Sequence, residues 1–242
     1  MLTIRDHGVD DYAVLHDMDA TDVGVLRDDD RHCLDELGGY LARSDAWHRF
    51  GVWLLHKHFE PAPGEVFVER VIPMSRKTET APVARSAFPA LNTTAIRFDD
   101  AVTDGVGVIS MEFAQRAEFE GTSRLSDDDE AVLAGIAERL AALGKTHRFG
   151  VHLIRNPLGL SEHELLHETC NSARRTLHCT VGERGVLLTD RTTVQTAWRW
   201  RVVGGKTQPA VMGECTATCT RALVGGHDIA HSHSEPDDFG ND

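Results

Sequence analysis

The chain of 242 residues matches itself in one frame, at an offset of 99 residues, and this constrains its fold more than any other feature. His48-Arg49-Phe50-Gly51-Val52-Trp53-Leu54 recurs as His147-Arg148-Phe149-Gly150-Val151-His152-Leu153, and the same frame sets Asp28-Asp29-Asp30 on Asp127-Asp128-Asp129. It also sets Leu34 on Leu133, Leu41-Ala42 on Leu140-Ala141, Glu65 on Glu164 and Glu69 on Glu168. One pentapeptide can recur by accident, but this many matches in a single frame are hard to assign to chance. The period is too long for a solenoid, whose units run about 20–50 residues. The frame therefore predicts an internal duplication with two half-domains, 28–121 and 122–224, packed about a pseudo-two-fold axis. A segment 1–27 precedes them and a His-containing tail 225–242 follows.

Each half is expected to begin with a helix. Ser126-Asp127-Asp128-Asp129 supplies an N-cap with a carboxylate three residues on. Val132, Leu133, Ile136, Leu140 and Leu143 then form one apolar stripe that ends before Gly144. The first copy, from about Asp28 to Arg43, keeps Leu34, Leu37 and Leu41 but carries Gly38-Gly39, each costing on the order of 1 kcal/mol relative to Ala. Strands follow at Phe50–Phe59 and Phe149–Arg155. Further strands are predicted at Glu65–Ile72, Ala95–Phe98, Val106–Phe113, Thr176–Val181, Gly185–Thr189, Thr193–Val203 and Ala210–Thr218, while Pro61, Pro63, Pro73, Pro82 and Pro89 break up the connections of the first half. Helices beside mostly antiparallel strands, without regular βαβ alternation, argue for an α+β fold.

Charge follows the same division. The net charge is −13, yet residues 1–40 carry eleven acids and three Arg, residues 226–242 carry five acids and no Arg or Lys, and the stretch between them is neutral. A neutral body with acidic ends lacks the electrostatic footprint of a nucleic-acid binder. With 41% hydrophobic residues the body is not disordered, and no apolar run approaches the roughly twenty residues of a membrane helix. The N-terminus has acids where a signal peptide carries bases, so a cytoplasmic location is expected. Five Cys without an export signal fit reduced thiols or metal ligands. There is no Walker A loop, nucleophile elbow or dinucleotide fingerprint.

Three constellations carry metal-binding chemistry. His163-Glu164-Leu165-Leu166-His167 resembles the HExxH motif of zinc metallopeptidases. That resemblance implies a helix on which His163 and His167 hold zinc while Glu164 takes a proton from bound water. Ser161 with Glu164 as a capping box, and Leu165, Leu166, Cys170, Ala173 and Leu177 at helical spacing, fit such a helix. The repeat frame offers the other reading, because His163–Glu168 falls on Gly64–Glu69, which alternates like a strand. The second constellation is His56-Lys57-His58, whose imidazoles share one face of a strand, with Glu65 or Glu69 as a carboxylate ligand. The third is Cys215-x3-Cys219-x7-His227-x3-His231, a soft ligand set for a structural zinc that would tie the tail to the body. Each of these also has a plain reading as surface His or core Cys. Trp198-Arg199-Trp200-Arg201 puts two indoles on one strand face and two guanidiniums on the other, which lines a substrate pocket or forms a charged outer face.

These readings converge on a soluble metal-binding protein. The favoured function is an enzyme of hydrolase or lyase type that uses zinc or another divalent transition metal. Its centre would be built from His56, His58 and residues of the 163–168 segment, in a cleft between the two halves. Glu164 and Glu65 are the expected proton-moving residues, Arg199 and Arg201 the expected contacts for a small-molecule or peptide substrate. The alternative is a non-enzymatic ligand-binding or structural protein with a zinc-tethered tail.

Overall fold

The structure, a computed structural model, describes residues 1–17, 26–88, 90–102, 104–115, 125–183, 193–203 and 206–216. In chain order the elements are β1 (Leu2–Asp6), α1 (Val9–Ala13), α2 (Asp28–Arg43), β2 (Phe50–Leu54), β3 (Glu65–Ile72), β4 (Lys77–Ala84), β5 (Leu91–Phe98) and β6 (Val106–Gln115). There follow α3 (Glu130–Ala142), β7 (Phe149–Leu153), β8 (Glu164–Asn171), β9 (Thr176–Glu183), β10 (Thr193–Val203) and β11 (Lys206–Thr216). Among the described residues no helix is long and apolar enough to cross a membrane.

The strands do not form two half-domains. Ten of them close one barrel in the order β6-β3-β4-β9-β8-β11-β10-β2-β7-β5, and β5 pairs back onto β6. β1 runs parallel to β6 along Val106–Ser110 and stands outside the ring. The α+β expectation fails because the first strands of the two sequence halves change places: β2 pairs with β10 and β7, and β7 pairs with β2 and β5. Neither half can close its own sheet, so there is no cleft between two bodies. The 99-residue frame relates strands within a single barrel instead. The pairing of β2 with β7 is symmetrical about Val52↔Val151, with Gly51 opposite His152 and Trp53 opposite Gly150.

The repeated Arg-Phe-Gly explains how helices seat on this barrel. Phe50 and Phe149 are fully buried beneath α2 and α3, in a core with Leu37, Leu41, Leu133, Ile136, Leu140, Trp198 and Trp200. The preceding arginines reach the helix starts in crossed fashion. Arg49 places two nitrogens on Asp129, at 2.5 and 2.6 Å, while Arg148 donates to Asp30 at 3.2 Å beside Lys145 at 2.6 Å. Each aspartate also accepts from the backbone three residues earlier, Asp129 from Ser126 N and Asp30 from Arg27 N. The glycine tolerated within α2 has a packing reason, since a Cβ at Gly38 would lie 1.9 Å from the Trp200 indole nitrogen.

Several element boundaries move. The strands expected to run to Phe59 and Arg155 stop at Leu54 and Leu153. β4 occupies a stretch expected to be a broken connection; Pro82 lies beyond the Lys77–Thr80 stretch that β9 covers, where a missing N–H costs no ladder bond to that neighbour. The helix expected from Ser161 is a β-hairpin, β8 with β9. The strand expected at Gly185–Thr189 lies outside the described residues.

Candidate metal centre

Every strand of the ring contributes a wall residue to a cavity inside the barrel, among them Trp53, Glu69, Thr80, Thr94, Glu112, His152, Glu168, Cys179, Arg199 and Gly213. The space enclosed is about 160 Å³. One wall is aromatic: Phe67 packs edge-on to Tyr12 and Phe59, with ring centroids 4.8 and 5.3 Å apart. The rest is polar and charged, which the alternation of the strands produces. In β10, Trp198 and Trp200 face the helices while Ala197 and Arg199 face the cavity.

On this wall His56, His58 and Glu168 bring one ligand atom each to within 4.8 Å of one another, a cluster able to coordinate a metal ion. His56 Nε2 lies 3.1 Å from His58 Nε2 and 3.8 Å from a Glu168 carboxylate oxygen. The Nδ1 of His56 lies 2.7 Å from the Leu54 carbonyl oxygen. That oxygen can only accept, so Nδ1 carries the proton and Nε2 presents its lone pair to the other two ligands. Around a tetrahedral zinc with bonds of about 2.0–2.1 Å, neighbouring ligand atoms stand roughly 3.3 Å apart, between the two distances found. His56 is buried and packs edge-on to Trp53. Glu168 also accepts from the Thr196 hydroxyl at 3.4 Å. A register irregularity in β10 between Gln195 and Trp198 turns that hydroxyl inward, against the alternation of the strand.

The two His come from the segment after β2, whose backbone is held by Lys57 N donating to His16 O. The expectation of one strand face carrying both rings is therefore corrected: the chain has left the strand, and the rings meet at 85° with centroids 4.8 Å apart. The carboxylate is neither Glu65 nor Glu69; it comes from the 163–168 segment also expected at the centre, as Glu168. Glu65 accepts from Ala62 N and binds Arg175, and Glu69 binds Arg155 at 2.6 Å. Glu164 takes two nitrogens of Arg76, at 2.7 and 2.9 Å, and Ser161 N. That pairing, led by Arg76, holds the Glu164 carboxyl down at about 2.

The HExxH string therefore lies in a turn and a strand. His163 stands exposed in a turn before β8 and His167 lies within the strand, so the helical face on which the resemblance would place both imidazoles is not formed. Leu165 and His167 alternate with Leu166 and Glu168, and the latter pair lines the cavity. Arg199 lines the cavity as well, whereas Arg201 pairs with Glu162 at 3.1 Å. Of the tail set, Cys215 is placed by its backbone in β11, opposite Glu168 of β8; Cys219, His227 and His231 lie outside the described residues.

Sequence reasoning missed Glu112. It is the one charged residue in Val106–Gln115, a strand apolar or small up to its last residue, and that isolation was the available signal. Burial, with the nearby charge of Glu69, pushes its carboxyl up to about 7, and Arg155 opposes the shift. Burial also pushes the Cys179 thiol up, which makes a nucleophilic role for it unfavourable. His152 is pushed down to about 4 by burial. Comparison with protein-family models, with curated proteins and with solved structures returns no match.

Proposed function

We propose that the protein is a metal-dependent enzyme whose divalent ion, held by His56, His58 and Glu168 in the barrel lumen, activates water or a substrate oxygen. The convergence of those three ligand atoms, with His56 oriented by the Leu54 carbonyl, carries the reading. Two imidazoles and one carboxylate form the protein ligand set of catalytic zinc that retains an open position. The same donors suit ferrous iron, so zinc-type chemistry is the first choice and iron the second. An ion in that position would lower the pKa of bound water toward 7, or polarise a carbonyl oxygen, and would supply positive charge there. A space of about 160 Å³ suits a small molecule, not a peptide in extended form.

The test is the metal content and zinc affinity of the full chain purified without chelator. One equivalent of zinc is expected. His56→Ala and Glu168→Gln should each weaken zinc binding by roughly a hundredfold or more, beyond the loss typical of supporting residues. Glu164→Gln and His163→Ala should leave it unchanged. A wild-type chain that takes up no zinc and no iron, or equal affinity in Glu168→Gln, overturns the reading.

A further inference from the structure

A metal centre that activates an oxygen needs a partner for the proton that oxygen gains or loses. The residues expected in that role are occupied, since Glu164 is tied to Arg76 and Glu65 to Arg175. Glu112 is different. It lines the same cavity as His56, His58 and Glu168, and among the described residues no hydrogen bond or ion pair is formed by its carboxyl. The charged and titratable groups around it come from three other elements and one loop. They are Glu69 on β3, Arg155 just after β7, Tyr12 on α1 and Cys179 on β9. Arg155, the one cation among them, is committed to Glu69, and the Tyr12 hydroxyl donates to the Met111 carbonyl oxygen at 2.8 Å.

On the metal reading above, we propose that Glu112 is the proton-transfer residue of this site, exchanging a proton with a compact, oxygen-bearing molecule bound between it and the metal. The size of that molecule follows from the walls. The space is close to the roughly 150 Å³ of an engineered cavity that takes benzene, and Phe59, Phe67 and Tyr12 offer one apolar side. The class is thus a ring-sized molecule with a hydroxyl or acid O–H for the metal. In the transfer itself, the O–H bond of the metal-directed group breaks and its electron pair stays on the oxygen. An O–H bond to Glu112 forms. Burial and the charge of Glu69 raise the proton affinity of this carboxyl, which suits it to accept the proton.

Benzohydroxamic acid and the zinc-loaded full chain provide the test. Binding is followed by calorimetry at pH 8 in two buffers with different heats of ionisation, which counts the protons released per ligand. Glu112→Gln should keep its zinc and release close to one proton more than wild type, because the proton taken by Glu112 now goes to buffer. A measurement on wild type alone guards against a misfolded variant. The infrared difference spectrum on ligand addition should gain a protonated-carboxyl band that shifts when glutamate is labelled with carbon-13. Equal proton release in wild type and variant, or no such band, overturns the role of Glu112 and leaves the metal reading standing. Zinc-loaded wild type that does not bind the hydroxamate also overturns it. A wild type that holds neither zinc nor iron sinks the metal reading, and this inference with it.

Discussion

Two glycines show what a single residue decides in this barrel. Where β2 and β7 pair, a Cβ on Gly150 would stand 2.2 Å from the Trp53 indole nitrogen and 2.4 Å from the Ile96 carbonyl oxygen. Gly51 faces the matching pair, His152 Nε2 at 2.1 Å and the Trp198 carbonyl oxygen at 2.6 Å. Each glycine leaves room for an aromatic ring of the opposite strand, which turns inward beside the cavity; Trp53 then donates to the Ile96 carbonyl oxygen at 3.1 Å. A carbonyl oxygen held in a ladder cannot move aside as a side-chain end can, so overpacking here sits at the upper end of its usual range. Gly150→Ala is expected to destabilise the fold by about 3 kcal/mol, measured by urea unfolding, and an effect under about 0.5 kcal/mol would show that the ring and the strands yield freely. At this scale much of the site was legible. His56-x-His58 reads as a ligand pair from sequence alone. Glu168 is reached only as a member of the 163–168 segment and as the repeat match of Glu69, not singled out as the ligand, because the ring order β8-β11-β10-β2 that brings it to the imidazoles is a long-range property with no local pattern.

Between elements, the legible part is the helix and the hidden part is what holds it. Ser126 and Asp129, or Asp30, announce a helix start in sequence, but the residue that binds each aspartate belongs to the other copy of the Arg-Phe-Gly repeat. The result is a crossed pair of links, α3 to the start of β2 and α2 to the start of β7. Asp129 is 7% exposed and its partner Arg49 22%, so removing the carboxylate takes the charged acceptor from a guanidinium in a partly closed place. Asp129→Asn should cost about 3 kcal/mol, the lower end for breaking a buried pair. Asp128→Asn, one residue earlier and exposed, should cost no more than about 0.5 kcal/mol. Thermal unfolding of the two variants side by side checks this; similar losses would mean that helix-start charge, and not the cross-link, is what matters. The same scale explains the failure of the HExxH reading. Leu165, Leu166, Cys170 and Leu177 satisfy a helical period by chance, while the true pattern, a strand whose cavity face carries Leu166 and Glu168, spans too few residues to outvote it.

For the whole molecule the interleaved ring makes the barrel one cooperative unit. Because β2 is flanked by β10 and β7, a fragment of residues 28–121 keeps β3 to β6 but leaves β2 with no neighbouring strand. It should show no cooperative unfolding transition by circular dichroism, and a sigmoidal transition in that fragment would restore the half-domain view. Buried titratable groups set the pH response of the intact chain. His7 and His152 are both pushed down to about 4 by burial, against an ordinary value of 6.5. Between pH 6.5 and 4 the unfolded chain binds protons there that the folded chain refuses, so stability falls as pH falls, by about 1.4 kcal/mol per unit for each group. Glu112 works in the opposite sense. Its folded value of about 7 exceeds its ordinary 4.5, so between pH 4.5 and 7 the folded chain holds a proton that the unfolded chain lacks, and stability falls as pH rises. From pH 4.5 to 6.5 two groups push one way and one the other, which leaves the slope of a single histidine, about 1.4 kcal/mol per unit. Glu112→Gln removes the opposing group. Urea unfolding across that window should show the slope roughly doubled in the variant, together with a higher stability than wild type at pH 8, where the ionised carboxylate no longer has to be buried. An unchanged slope would mean that solvent reaches Glu112 freely, and that the lumen is wetter than its walls indicate.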